Sequence, residues 1–256
     1  MNVREGTRDH TGQAYLIPAR ERANLRIIER SLVSRIMFEK KESEICAIGV
    51  EYRDLDSGEI KSVLARKDVI LCAGAYNSPQ ILMISGVGDA EQLKEMGITP
   101  IHHLPGVGRN LQDHPCSLLI YDFKKPELGF PIGDWSDSNE YAKKVKAEWE
   151  QTRRGKAGSN QMEVVLFTKT CPTIPYQNLQ VHFIPGPRSE INANEINVAS
   201  GLSISIDAIR PKSFGSLKLQ SKNPEEAPLI DPNVFSNEDD LEEIVEGVLL
   251  VRNICS

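Results

Sequence analysis

A chain of 256 residues with 40% hydrophobic content is long enough for one large domain or two smaller ones with a real core. The 36 acidic and 30 basic residues leave a net charge of −6 without a long basic cluster, which argues against nucleic acid as a partner, and no run of 18 apolar residues offers a membrane span. Five scattered cysteines (Cys46, Cys72, Cys116, Cys171, Cys255) form no C-x-x-C, the usage of buried free thiols in a reducing compartment such as the cytoplasm.

The opening "MNVREGTRDHTG" is polar from its second residue and holds no apolar signal core. "ANLRIIERSLVSRIMFE" alternates apolar and polar residues in two runs, Leu25–Ile27 and Leu32–Phe38, and reads as one or two strands. Val50 and Tyr52 lead into a turn at Asp56-Ser57-Gly58 and a returning strand, a hairpin by its turn chemistry. Asp68-Val69-Ile70-Leu71-Cys72 reads as a short strand covered on both faces of a sheet.

The next stretch, "AGAYNSPQILMISGVG", is unusually rich in small residues on both sides of a helix. Ser78-Pro79 predicts the helix start, since Ser caps and Pro is tolerated at the first helical position; Gly86 predicts its end. "AEQLKEMGI" is a second short helix stopped by Gly97, and "LPGVGRNLQDHP" is a loop by its Gly and Pro content.

After residue 115 the texture changes. "EYAKKVKAEWEQTRRG" is a charged helix, and "NLQVHFIPG", "GLSISIDAIRP" and "GSLKLQS" are strands. "NPEEAPLIDPN" is a turn-rich connection. "SNEDDLEEIVEGVLLVRNI" is an amphipathic helix with acidic residues in its first turn, which explains that acidic run better than a calcium loop does.

Four stretches together resemble the glucose–methanol–choline (GMC) oxidoreductases, FAD-dependent enzymes that oxidise alcohols. They are "GAYNSPQILMISGVG", "LPGVGRNLQDHP", "RANLRIIERSLVSRIMF" with "AIGVEY", and "RPKSFGSLKLQSKNPEEAPLIDPN", in the family's order and spacing. The resemblance implies an α/β plus α+β architecture. Residues 1–115 would be part of a Rossmann-like FAD-binding domain, and 116–256 part of a substrate domain built on an antiparallel sheet. It implies that Ala73 and Gly74 are small so that the dinucleotide can come close to the backbone. It also implies that Val33 holds the adenine through main-chain groups, while its side chain stays half-buried. Glu163 and His182 become candidates for lining a pocket for a small-molecule alcohol.

Two family features are missing from the sequence. There is no G-x-G-x-x-G: Gly86-x-Gly88 continues to Glu91 and Gly106-x-Gly108 to Leu111. The family's catalytic histidine lies near its C-terminus, and "LLVRNICS" stops short of that region, so no catalytic residue is assigned. The resemblance is therefore to an interior fragment, with the rest expected from a longer gene product or a second chain. His102 and His103 are neighbours and form no metal pair, and His114 belongs to a structural loop. No metal site, nucleophile motif or P-loop competes. Three outcomes stay open: a piece of an alcohol oxidoreductase, a non-catalytic remnant or partner-binding domain, and a hydroxynitrile lyase-type member that holds FAD without net redox chemistry.

Overall fold

The structure, a computed structural model, describes residues 3–42, 44–124, 140–160, 162, 164–186 and 201–256. In chain order the elements begin with β1 (Val3–Arg4), β2 (Thr7–Arg8), a π-helical turn at Gly12–Leu16, α1 (Ile17–Ala19), β3 (Ser31–Lys41), β4 (Glu44–Asp54) and β5 (Ile60–Leu64). They continue with α2 (Gly74–Ile84), β6 (Val87–Gly88), α3 (Ala90–Glu95), β7 (His102–His103), β8 (Arg109–Leu111), β9 (Cys116–Asp122) and α4 (Glu140–Thr152). A 3-10 turn at Lys156–Gly158 precedes β10 (Val164–Thr168), β11 (Leu179–Pro185), β12 (Gly201–Ala208), β13 (Gly215–Lys218), β14 (Leu229–Asp231) and α5 (Glu238–Ile254).

These elements fall into two compact units. One comprises Ile27–Asp113 and Ser213–Ser236; the other comprises Met1–Arg26, His114–Lys212 and Asn237–Ser256. The sequence suggests one division, after residue 115. The chain passes between units after Asp113, and again after Arg26, Lys212 and Ser236.

The first, hairpin unit is built on the antiparallel sheet β3-β4-β5, with a bulge at Ser34 where the register shifts between Val33 and Arg35. The β4–β5 turn forms where its chemistry predicts. Asp54 Oδ1 accepts the N–H groups of Asp56 and Ser57, and Gly58 takes a φ of +74°. A second small sheet, β14-β13-β8, carries Leu217 into a core with Met83, Leu93 and Leu219. α3 is capped by Asp89, whose side chain accepts from Glu91 and Gln92, and ends at Gly97 with φ +69°.

The second, four-stranded unit is the antiparallel sheet β10-β11-β12-β9. One face packs on α5, burying Leu179, Val181, Ile204, Ile206 and Val251. Gly247 lets the helix come this close: a Cβ there would meet Ile206 Cγ2 at 2.7 Å and Leu179 Cδ1 at 3.0 Å. α5 starts at the cap Asn237, with Glu238, Asp239 and Asp240 in its first turn, where the helix dipole favours negative charge. Trp149 on α4 donates its indole N–H to Gly6 O at 2.6 Å, tying α4 to the β1–β2 hairpin.

Mixed helices and antiparallel sheets bear out the expected α/β class. Several local expectations are corrected. Residues 25–27 form no strand; the edge strand begins at Ser31. Residues 68–72 join no sheet among the described residues, and Ile70 is 84% exposed. α2 begins at Gly74, four residues before Ser78, so Pro79 lies inside it and forfeits one helical hydrogen bond. The glycine-rich loop contains β8, which pairs with β13, and the turn-rich connection contains β14. All five cysteines are free but none is fully buried; Cys72, Cys116 and Cys255 are exposed.

Candidate functional site

In the hairpin unit, the small residues gather at the start of α2. Ala73 is the N-cap, and its methyl group makes no cap hydrogen bond to the first-turn N–H groups. Gly74 takes a φ of +87°, which an L side chain rarely adopts, and a Cβ placed on it would have nothing within 4 Å. The glycine therefore serves the backbone conformation and leaves open space beside the helix start. A cleft of about 520 Å³ runs along this half of α2, lined by Ala75, Ser78 and Pro79 and by the Gly106–Gln112 segment with Arg109.

The other end of α2 is tight where the first is open. Gly86, at φ +88°, has Thr99 O only 2.7 Å from the site of a Cβ. Ser85 Oγ accepts the buried N–H of Ile36 at 2.8 Å and donates to Ile81 O at 2.5 Å, fastening α2 to β3. Val33 lies on the same edge strand β3, just before the bulge, paired with Tyr52 on β4. An edge strand keeps main-chain groups unpaired on its outer side, which is what a main-chain contact to a ligand requires.

In the four-stranded unit, the sheet face opposite α5 carries a polar cluster. His182 and Gln180 alternate with core residues on β11; Ser205 and Asp207 do so on β12. The register sets His182 opposite Ser205 and Gln180 opposite Asp207. Gln180 Nε2 and His182 Nε2 are 2.6 Å apart, and His182 Nε2 is 3.8 Å from Asp207 Oδ2. Ser205 Oγ donates to the Asp207 carboxylate at 3.2 and 3.3 Å. His182 Nδ1 is buried with no hydrogen-bond partner among the described residues. Phe167 and Val165 on β10 pair with Gln180 and His182 and flank the cluster with partly exposed apolar surface.

The predicted residues thus divide. Val33, Ala73 and Gly74 share the hairpin unit; His182 belongs to the other. Glu163 lies outside the described residues. The sequence reading missed Gln180, Ser205 and Asp207, although i, i+2 alternation already places each pair on one strand face. His103 is structural: its Nδ1 accepts the N–H of Ala90 at the start of α3, at 3.1 Å. Among the described residues no group of three or more His, Cys, Asp or Glu is placed to hold a metal ion.

Known proteins resemble the chain over nearly its whole length. A family model described as GMC oxidoreductase, for the N-terminal part, matches residues 1–116, and a second, for the C-terminal part, matches residues 211–256. The chain is 39% identical over 250 residues to an oxygen-dependent choline dehydrogenase of Chromohalobacter salexigens, covering 98% of this chain and 43% of that protein. It is 35% identical over 263 residues to the mitochondrial choline dehydrogenase of Homo sapiens, covering 99% and 41%. A solved formate oxidase of Aspergillus oryzae shares the fold with a TM-score of 0.83 at 21% identity, covering 97% of this chain and 46% of that one. A solved FAD-dependent oxidoreductase from Chaetomium thermophilum gives a TM-score of 0.79 at 25% identity, with 98% and 48% covered. The chain spans less than half the length of these relatives.

Proposed function

Because the chain belongs to the GMC oxidoreductase family, we propose that it forms part of an FAD-dependent enzyme acting on the CH–OH group of an alcohol. The observation that carries this reading is the start of α2. Within the family match, an uncapped helix N-terminus and a left-handed Gly74 border open space. That is a cradle a Cβ would fill, and it fits a dinucleotide passing close to the backbone. Ala73 and Gly74 would give the cofactor close approach, and the β3 edge at Val33 would offer main-chain groups to the adenine. Bound FAD supplies the hydride acceptor.

His182, with its neighbours on β11 and β12, is the described group for the alcohol side, and Glu163 is a second candidate. The choline dehydrogenase relatives make choline the first donor to try. The remainder of the fold would come from a longer gene product or a second chain. No helix among the described residues is long and apolar enough to cross a membrane. Five free thiols suit a reducing compartment such as the cytoplasm.

The test is a chimera in which these 256 residues replace the matching segment of the Chromohalobacter salexigens choline dehydrogenase. The expected product is a yellow protein that reduces an artificial acceptor when choline or another small alcohol is added. A soluble, folded chimera that retains no flavin would overturn the proposal.

A further inference from the structure

We infer that Asp207, held by Ser205, is a positioning residue that fixes the ring proton of His182 on Nε2 and so turns the Gln180 amide to present its nitrogen on this sheet face. The functional meaning rests on the proposed alcohol-side role of the face; the proton arrangement itself is a property of the four-stranded unit. Two arrangements meet the 2.6 Å separation of the Gln180 amide and His182 Nε2. In the first, the amide N–H donates to Nε2. The ring proton must then sit on Nδ1, which is buried and without a partner among the described residues. The Asp207 carboxylate, 3.8 Å from Nε2, then faces a lone pair.

In the second arrangement the ring proton is on Nε2 and the amide, after a half-turn, accepts it through Oε1. The proton is then on the ring nitrogen that lies 3.8 Å from the Asp207 carboxylate, and buried Nδ1 keeps only a lone pair. An orphaned buried N–H is the rarer and more costly of the two defects. Negative charge beside Nε2 favours a proton there over a lone pair. The two ends of an amide are nearly equal in size, so the half-turn needs no repacking. Ser205 Oγ donates to both carboxylate oxygens and keeps Asp207 in place while this happens. With its oxygen engaged by His182, Gln180 offers two N–H donors outward. They match a ligand oxygen, such as a hydroxyl, and they make Gln180 the donor this face presents.

The test reads the imidazole tautomer by two-bond proton–nitrogen NMR correlation on the 15N-labelled chain, across a series of alkaline pH values until the pattern no longer changes. The His182→Gln spectrum identifies the signals. The wild type is expected to show the Nε2–H pattern, and Asp207→Asn a shift toward Nδ1–H or a mixture. Ser205→Ala should shift it in the same direction by less, and it serves as the readout if Asp207→Asn does not fold. An Nδ1–H pattern in the wild type, or an unchanged pattern in a folded Asp207→Asn chain, overturns the inference. No flavin enters this measurement, so a chimera without flavin removes the functional reading and leaves the proton arrangement standing.

Discussion

Ser85 Oγ lies 2.8 Å from the main-chain nitrogen of Ile36, 49 residues earlier in the chain, and accepts its buried N–H. The bond joins the end of α2 to the edge strand β3 and gives the serine after the "QILMI" run a physical reason to be there. Ser85→Ala would leave the Ile36 N–H with no acceptor inside the unit, at a cost of about 1–3 kcal/mol. Urea denaturation should show the midpoint falling with little change in slope. An unchanged midpoint would mean that water replaces the hydroxyl.

Gly247 sets helix propensity against packing. Alanine is better than glycine inside a helix by about 1 kcal/mol. Yet a Cβ at this position would lie 2.7 Å from Ile206 Cγ2 and 3.0 Å from Leu179 Cδ1, both in the fully buried core of the sheet. Overpacking of this kind costs about 1–3 kcal/mol. Gly247→Ala is therefore expected to destabilise the four-stranded unit on balance, as a lower melting temperature. A rise would show that α5 can lift off the sheet without loss.

Asp54 gives a pH dependence with a definite sign. The hydrogen bond from Lys61, then the N–H groups of Ser57 and Asp56, lower its carboxyl from 3.8 to about 2. The unfolded chain takes up this proton first as the pH falls. The carboxylate's contribution is whole above 3.8 and is lost as the pH drops through about 2. Asp54→Asn should flatten the stability profile across that window and leave its shape at neutral pH unaltered. Denaturation midpoints at a series of acidic pH values measure this, and parallel profiles for the two proteins would contradict it.

Gly74→Val, introduced into the chimera, tests the cradle. The substitution adds bulk where a Cβ now has nothing within 4 Å and forces a β-branched residue to φ +87°, a conformation costing at least about 1–2 kcal/mol. Flavin content is expected to fall sharply while far-UV circular dichroism stays near wild type. Full retention of flavin would reduce Gly74 to a turn residue.

These residues also show what could be read in advance. The Asp54–Gly58 turn and the Asp89–Gly97 helix were legible because their signals are local: a short polar side chain reaching its own backbone, and a glycine at positive φ. The start of α2 was not, because Ser78-Pro79 is a sound local start signal that tertiary packing overrides. β8 was hidden in a glycine-rich segment because its partner among the described residues, β13, lies about 100 residues further on in sequence. The candidate site shows the same division. Gly74 and His182 stand out in their own segments, whereas Asp207 acquires a role only when the register of β11 and β12 puts it across from Gln180.

The discontinuous hairpin unit has a consequence for the chain while it is being made. β8 ends at Leu111, and its partner β13 starts at Gly215. At synthesis rates of about 5–20 residues per second, the intervening stretch of roughly 100 residues takes on the order of 5–20 s. For that time β8 has an unpaired edge, and Met83 and Leu93 lack the cover of Leu217 and Leu219. Edge strands and bare apolar surface are where nascent chains associate wrongly. The growing chain therefore carries this uncovered edge and core over a whole range of lengths, and slowing translation between residues 111 and 215 would lengthen its exposure.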